Sequence, residues 1–172
     1  NKITNYVDSV IYELHIRDFT ESNNTNIVNK GKYLGVVEEN RKSIFGEAVA
    51  LDYLKSLDIT HVQILPILDF NSNDIYDPNV EYNWGYDPVS MFSIEGQYST
   101  KPEIPMNRIE EFREMVDKLH KNNIRVVVDV VYNHMFEYLK TSLEAVVPNY
   151  YFRKKANGAP AMASGCGNDY AS

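Results

Sequence analysis

The stretch "VVVDVVYNH", from Val126 to His134, joins a strand-like run of valines to polar side chains. The valines predict a strand that is apolar on both faces, as a parallel strand covered by helices must be. A buried carboxylate without a partner is costly. Asp129, inside this predicted strand, therefore needs a cationic partner or belongs to a polar site at the strand's end. Tyr132, Asn133 and His134 favour such a site, and an Asp that only caps a neighbouring loop is the alternative.

Strand and helix patterns alternate along the rest of the chain. Strands are predicted at Val10–Ile16 and Thr60–Pro66, and Ile124–Tyr132 forms the third. Apolar residues recur at helical spacing between Ala50 and Leu57, which separates the first two strands by a helix. Strands separated by helices predict parallel pairing through right-handed crossovers.

A second helix is predicted before the third strand. Asn107, with Glu110 three residues later, has the spacing of a capping box, so we expect Asn107 to be the N-cap. The residues "KNN", 121–123, end the helix. Its predicted apolar face consists of Ile109, Phe112, Val116 and Leu119.

Two α/β architectures fit this order, an open doubly wound sheet and a (β/α)8 barrel. The segment after the first strand, residues 17–35, has no Gly-rich nucleotide-binding turn, which the open sheet usually carries. Long polar segments follow the carboxyl ends of the strands, including some forty residues without periodicity after the second one. That asymmetry is typical of a barrel whose site lies on this face. From Phe136 onward the chain is predicted to be irregular.

Composition excludes several classes of function. The 172 residues are 44% hydrophobic and carry a formal net charge of −7, which argues against nucleic acid or an anionic membrane surface as a partner. No apolar run approaches the roughly 18 residues of a membrane span. Cys166 is the single cysteine, so neither a disulfide framework nor a thiolate metal cluster is expected. Composition leaves the compartment open between the cytoplasm and secretion.

A second polar cluster, "YNWGYDP", spans Tyr82–Pro88 in the loop after the second strand. Gly85 permits a sharp turn and a proline stiffens the exit. Trp84, Tyr86 and Asp87 then offer aromatic faces beside a carboxylate, which suits a sugar ring with its apolar C–H faces and polar rim. The alternative is a loop held together by its own aromatic side chains.

These residues carry a resemblance to a known family. "VVVDVVYNH" resembles the first conserved region of the α-amylase family, glycoside hydrolase family 13. "YNWGYDP" is similar to the signature of its type I pullulanase branch, whose members cleave α-1,6 branch linkages. "VIYELHIRDFT" and "LDITHVQILPILDF" resemble the first two barrel strands of this group, and "GCGNDYAS" resembles the segment leading towards the fourth. The resemblance covers nearly the whole chain, in order.

The resemblance implies roles for individual side chains. Tyr86 is expected to stack under the sugar in subsite −1, and His134 to hydrogen-bond the same sugar. Asp129 is expected to orient an arginine from a later strand, which would be its cationic partner. Trp84 and Asp87 are expected to shape the pocket near the branch point.

No cofactor is implied, and calcium is possible but unsupported. Asn133 matches a position that helps to hold calcium in many α-amylases, although pullulanases often lack that site.

The family mechanism is retaining hydrolysis, in which a nucleophile Asp and an acid Glu lie roughly 5–5.5 Å apart. The motifs that carry these two residues are expected beyond Ser172, so we assign no catalytic residue within the chain. The chain begins at Asn1 rather than Met, and it is shorter than the roughly 250 residues of a typical barrel. We therefore expect a fragment of one catalytic domain, with barrel strands 1–3 at about residues 1–134 and the long loop after strand 3 from about 135 to 172.

The resemblance predicts a bacterial enzyme acting on an α-glucan such as pullulan, glycogen or starch-derived limit dextrins. An α-amylase or isoamylase of the same family, or a carbohydrate-binding fragment without catalysis, are the alternatives. Because three strands leave an open sheet edge, the isolated chain is also expected to self-associate. It is expected to be inactive because the nucleophile and acid motifs are expected beyond Ser172.

Overall fold

A computed structural model of the chain describes residues 5–72, 76 and 82–171. Three strands, β1 (Ile11–Leu14), β2 (His61–Ile64) and β3 (Arg125–Val128), form a parallel sheet in chain order. The carboxyl ends of all three strands therefore meet at one edge, and the predicted parallel pairing is confirmed. Part of the predicted loop after β2, residues 73–75 and 77–81, lies outside the described residues.

Five α-helices connect and follow these strands: α1 (Ile16–Thr20), α2 (Tyr33–Val36), α3 (Ala50–Ser56), α4 (Pro105–Lys121) and α5 (Ser142–Val146), with 3-10 turns at Tyr6–Asp8 and Tyr138–Lys140. The predicted first helix is α3, whereas α1 and α2 occupy a segment in which no helix was predicted. Both are too short for a periodic pattern to reveal them. No helix in the described ranges combines the length and apolar character needed to cross a bilayer.

The first strand is shorter than predicted because a helix begins directly after it. The backbone N–H of Asp18 donates to Nδ1 of His15 at 3.3 Å, which makes His15 the N-cap of α1. The third strand ends at Val128, so the prediction that Asp129 lies inside it is wrong by one residue. The Asp129 N–H still donates to the carbonyl of Ile64 at 2.9 Å, which continues the ladder past the strand's end.

Helix α4 begins two residues before the predicted N-cap. Pro105 occupies its first turn, where a missing N–H costs nothing, and Ile104 is the N-cap without a side-chain hydrogen bond. Asn107 lies inside the helix and donates to Ser99 Oγ at 2.8 Å and to Glu111 Oε1 at 2.7 Å. The capping-box prediction is therefore wrong, because Asn107 ties the helix to the preceding segment instead.

The apolar face of α4 is the predicted one only in part: Leu119 is buried and Phe112 packs against the core. Glu111, Met115 and Leu119 are its buried residues, whereas Ile109 is exposed. The predicted end is confirmed: Asn122 is the C-cap, and Asn123 follows with a φ of 61° in the left-handed region common after helices.

The main core lies between one face of the sheet and the helices. Its buried members come from both layers: Leu14, Val62 and Ile64 on the strands, and Val36, Leu51, Leu54, Met115 and Leu119 on the helices. Each such side chain contributes about 1.5–3 kcal/mol on burial. Two buried tyrosines, Tyr33 and Tyr98, extend this core beneath the loop after β2.

The opposite face of the sheet is open in the described residues. Ile11 is 54% exposed and Val127 is 37% exposed on this face. Between them, the amide of Gln63 donates to Glu13 at 3.1 Å. The prediction that the third strand is buried on both faces is therefore wrong for the part of the chain described, because only helices on one side cover it.

Residues after β3 fold back in a second cluster. Met135, Tyr138 and Phe152 are buried together, and Tyr170 stacks on Phe152 with ring centroids 5.2 Å apart. The backbones of His134 and Asp169 pair in an isolated antiparallel β-bridge. Since α5 and a 3-10 turn lie here, the prediction of an irregular chain from Phe136 onward is wrong for these two elements.

We expect the isolated chain to self-associate through the open face and the edges of β1 and β3. Exposed strand edges and apolar patches pair with other copies because their backbone groups and side chains lack partners. Light scattering should detect oligomers that grow with concentration. Val127→Lys should weaken this association, whereas Val146→Lys, at an exposed position on α5, should not. A monodisperse monomer that melts cooperatively would contradict the expectation.

Candidate functional site

A cleft of about 740 Å³ lies at the carboxyl ends of β1 and β2. Its lining includes six aromatic side chains, Tyr12, Phe19, Tyr53, Tyr82, Trp84 and Tyr86. Two acidic side chains, Glu13 and Asp18, also line it. Of the predicted site residues, Trp84 and Tyr86 therefore lie on its wall, with exposures of 59% and 39%.

The turn at residues 82–88 is built by its own polar groups. Gly85 has a φ of +88°, and a Cβ there would lie 2.7 Å from the carbonyl of Pro66, so only glycine fits. Its N–H donates to the side-chain oxygen of Asn83 at 2.8 Å. The Asn83 amide donates to the Asp87 carboxylate at 2.9 Å and to the carbonyl of Asn71 at 2.8 Å. These bonds direct Trp84 and Tyr86 to the cleft.

Asp87 does not line the cleft. Its carboxylate accepts from Asn83 within the turn. Its role in substrate binding stays a prediction.

Asp129, directly after β3, contacts Tyr86 in the turn after β2. The phenol of Tyr86 donates to Oδ2 of Asp129 at 2.6 Å. This hydrogen bond is the main cause that raises the pKa of Tyr86 to about 12. The phenol therefore stays neutral, and Asp129 fixes the ring on the cleft wall. Among the described residues, Tyr86 is the side chain that hydrogen-bonds Asp129. The arginine partner of Asp129 therefore stays a prediction.

His134 and Asn133 lie away from the cleft lining. His134 is 9% exposed, and its Nδ1 lies 3.1 Å from the side-chain oxygen of Asn133. Among the described residues, no group of three or more His, Cys, Asp or Glu side chains could hold a metal ion.

Sequence reasoning missed His15, at the end of β1. Its Nδ1 accepts from the Asp18 N–H, so the proton lies on Nε2, which is 3.2 Å from the carbonyl of Asn83 and 2.9 Å from the Tyr98 hydroxyl. Burial lowers the pKa of His15 and favours this neutral form. The signal was present: His15 lies at the carboxyl end of a predicted strand, as Tyr132 does in "YNH".

Glu95, also missed, holds the base of the loop that carries the turn. Its side chain is fully buried, at 0% exposure, and accepts from the backbone N–H groups of Phe70 at 3.1 Å and Gln97 at 2.6 Å. The backbone of Phe70 also pairs with that of Pro88, the last residue of the 82–88 turn, in an isolated antiparallel β-bridge. Burial is the main cause that raises the pKa of Glu95 to about 7.

We expect the stability of the chain to fall as pH rises from about 4.5 to about 7 because of Glu95. A carboxyl whose folded pKa of about 7 exceeds its ordinary value of 4.5 favours folding when protonated, and this contribution is lost as pH passes through the folded pKa. The loss is on the order of 3 kcal/mol. Denaturant unfolding at several pH values should show that Glu95→Gln flattens this slope, while Glu110→Gln, at an exposed position on α4, leaves it unchanged. An equal slope in both variants would contradict the assignment.

Comparison with known proteins agrees with this geometry. The sequence pattern of the alpha amylase catalytic domain matches residues 14–165. The chain belongs to the alpha-amylase family. Within that family, it is 42% identical over 166 residues to the pullulanase of Bacillus subtilis (strain 168), covering 96% of the chain and 23% of that relative. It is 32% identical to the chloroplastic isoamylase 1 of Oryza sativa subsp. japonica, covering 95% of the chain and 20% of that relative.

Solved structures of alpha-amylase family members have the same fold. The pullulanase of Anoxybacillus sp. LM18-11 complexed with maltotriose superposes with a TM-score of 0.95 at 41% identity, covering 100% of the chain and 25% of that structure. Type I pullulanase of Bacillus subtilis complexed with maltose gives a TM-score of 0.91 at 42% identity, covering 96% of the chain and 23% of that structure. The predicted family and partial (β/α)8 barrel are confirmed. The chain spans about a quarter of the length of these relatives.

Proposed function

We propose that the chain is an amino-terminal part of the catalytic barrel of a debranching glycosidase. The protein that carries it would hydrolyse α-1,6-glucosidic linkages of pullulan, glycogen or limit dextrins with retention of configuration. The observation that carries this proposal is the aromatic cleft wall of Tyr82, Trp84 and Tyr86 at the carboxyl ends of β1 and β2. Relatives at 41–43% identity, complexed with maltotriose and maltotetraose, support an α-glucan ligand.

Flat, partly exposed rings suit this ligand. A glucose ring presents C–H groups that pack on an aromatic face, and hydroxyl groups that need hydrogen bonds at its edge. Tyr86 would stack under the subsite −1 sugar, with its ring fixed by the 2.6 Å bond to Asp129. Trp84 would contact the sugar next to the branch, and the turn that Asp87 stabilises would set the pocket shape there.

His134 would hydrogen-bond the same sugar as Tyr86. Its ring is held by Asn133 at 3.1 Å, so its orientation is set before substrate arrives. The nucleophile Asp and the acid Glu would come from the rest of the barrel, beyond Ser172. Asp129 would accept from an arginine close to that nucleophile as well as from Tyr86.

An α-amylase specific for α-1,4 bonds is the second candidate, since the family match alone does not specify the linkage. The products of pullulan hydrolysis distinguish the two. Pullulan consists of maltotriose units joined through α-1,6 bonds, so debranching by the full-length protein should release maltotriose. Release of panose or isopanose would identify α-1,4 cleavage and overturn the proposal. Binding without hydrolysis would identify a carbohydrate-binding protein.

A further inference from the structure

We propose that Asp18 and Tyr82 are positioning residues that fix the orientation of Trp84 on the cleft wall. Asp18 lies on α1, and Tyr82 and Trp84 lie on the turn after β2. The two segments are joined by a 2.5 Å hydrogen bond from the Tyr82 hydroxyl to Oδ2 of Asp18. The significance of this contact for glucan binding rests on the proposed function.

Tyr82 is held from several sides. The guanidinium of Arg17 lies 5.0 Å above its ring and also donates to Oδ1 of Asp18 at 3.0 Å. The ring of His15 lies 5.5 Å from that of Tyr82. A phenol between a cation, an imidazole and a carboxylate has one favourable orientation, so Tyr82 is a rigid support.

Trp84 depends on this support. Its indole meets the Tyr82 ring edge to face, with centroids 6.4 Å apart and planes at 86°. The nearby Trp84 side chain opposes the rise in the pKa of Tyr82 that burial causes.

The backbone between Tyr82 and Trp84 is also held by the start of α1. His15, the N-cap of α1, has Nε2 3.2 Å from the carbonyl of Asn83. Two consecutive residues of the turn, Tyr82 and Asn83, are thus anchored to the start of α1, and Trp84 follows directly. Since Trp84 is 59% exposed, these anchors rather than burial determine where its ring faces.

Trp84 is the single tryptophan of the chain, so its fluorescence reports this arrangement without a ligand. Time-resolved anisotropy of the full chain should show a larger fast component in Tyr82→Phe, which removes only the hydroxyl. Loss of one hydrogen bond should raise the population of other Trp84 orientations by about two- to tenfold. Asp18→Ala should have a similar effect, and Asp18→Asn, which keeps an oxygen acceptor, a smaller one.

The double variant Tyr82→Phe/Asp18→Ala should be no more mobile at Trp84 than either single variant, since both act through one contact. Tyr150→Phe, an exposed tyrosine in another part of the chain, should change nothing. Unchanged Trp84 anisotropy in Tyr82→Phe, with lowered stability alone, would show a purely structural bond and overturn the proposal. If Tyr82→Phe does not fold, Asp18→Ala decides in the same way. A full-length protein that leaves pullulan intact refutes the proposed function but not this result.

Discussion

The 172-residue chain on its own is expected to release no reducing sugar from pullulan. Retaining hydrolysis needs a nucleophile and an acid roughly 5–5.5 Å apart on either side of the glycosidic bond. The two carboxylates on the cleft, Glu13 and Asp18, already have partners. Glu13 accepts from Gln63, and Asp18 accepts from Tyr82 and Arg17.

A reducing-sugar assay with the purified chain checks this expectation, with the full-length protein as the positive control. Activity that persists through purification and disappears in Glu13→Gln or Asp18→Asn would contradict it, because a catalytic carboxylate would then lie within the chain. Activity that both variants retain would point to a contaminating enzyme.

In the full-length protein, Tyr86→Ala and His134→Ala are each expected to lower kcat on pullulan by about 100-fold. Both side chains are proposed to contact the subsite −1 glucose as positive charge develops in its ring. Interactions that strengthen at the transition state affect kcat more than KM. Tyr86→Phe should lose less, because the ring remains and only the bond to Asp129 is removed.

Tyr150→Ala is the control for this experiment. Tyr150 is 68% exposed, and it has no proposed contact with the sugar. Its kcat should stay close to that of the unchanged protein. If Tyr86→Ala and His134→Ala also keep near-normal kcat, the subsite is not formed by these two residues.

The strands and their order were predictable because their sequences carry strong local signals. The valines at 126–128 and the β-branched runs before them predict strands at the observed places, with differences of a few residues at the ends. The sharp turn at Gly85 was equally predictable, and the structure gives this residue a φ of +88° beside Pro66. The confirmed partial barrel follows from these elements together with the family resemblance.

Contacts between distant segments were not predictable in the same way. The bond from Tyr86 to Asp129 joins residues 43 positions apart, and that from Tyr82 to Asp18 joins residues 64 apart. Local patterns place each of these side chains at a strand end without pairing them. Glu95 is a further case, because a lone glutamate in a loop gives no sign that its carboxylate will be fully buried.

Titration of the chain with maltotetraose, followed by the fluorescence of Trp84, tests the central claim that residues 82–88 form a glucan-binding surface. A saturable change in emission is predicted for maltotetraose, with a weaker one for the β-linked cellotetraose and none in Tyr86→Ala. An emission spectrum of Trp84 that no concentration of maltotetraose alters, in a chain shown to be folded, would contradict the account.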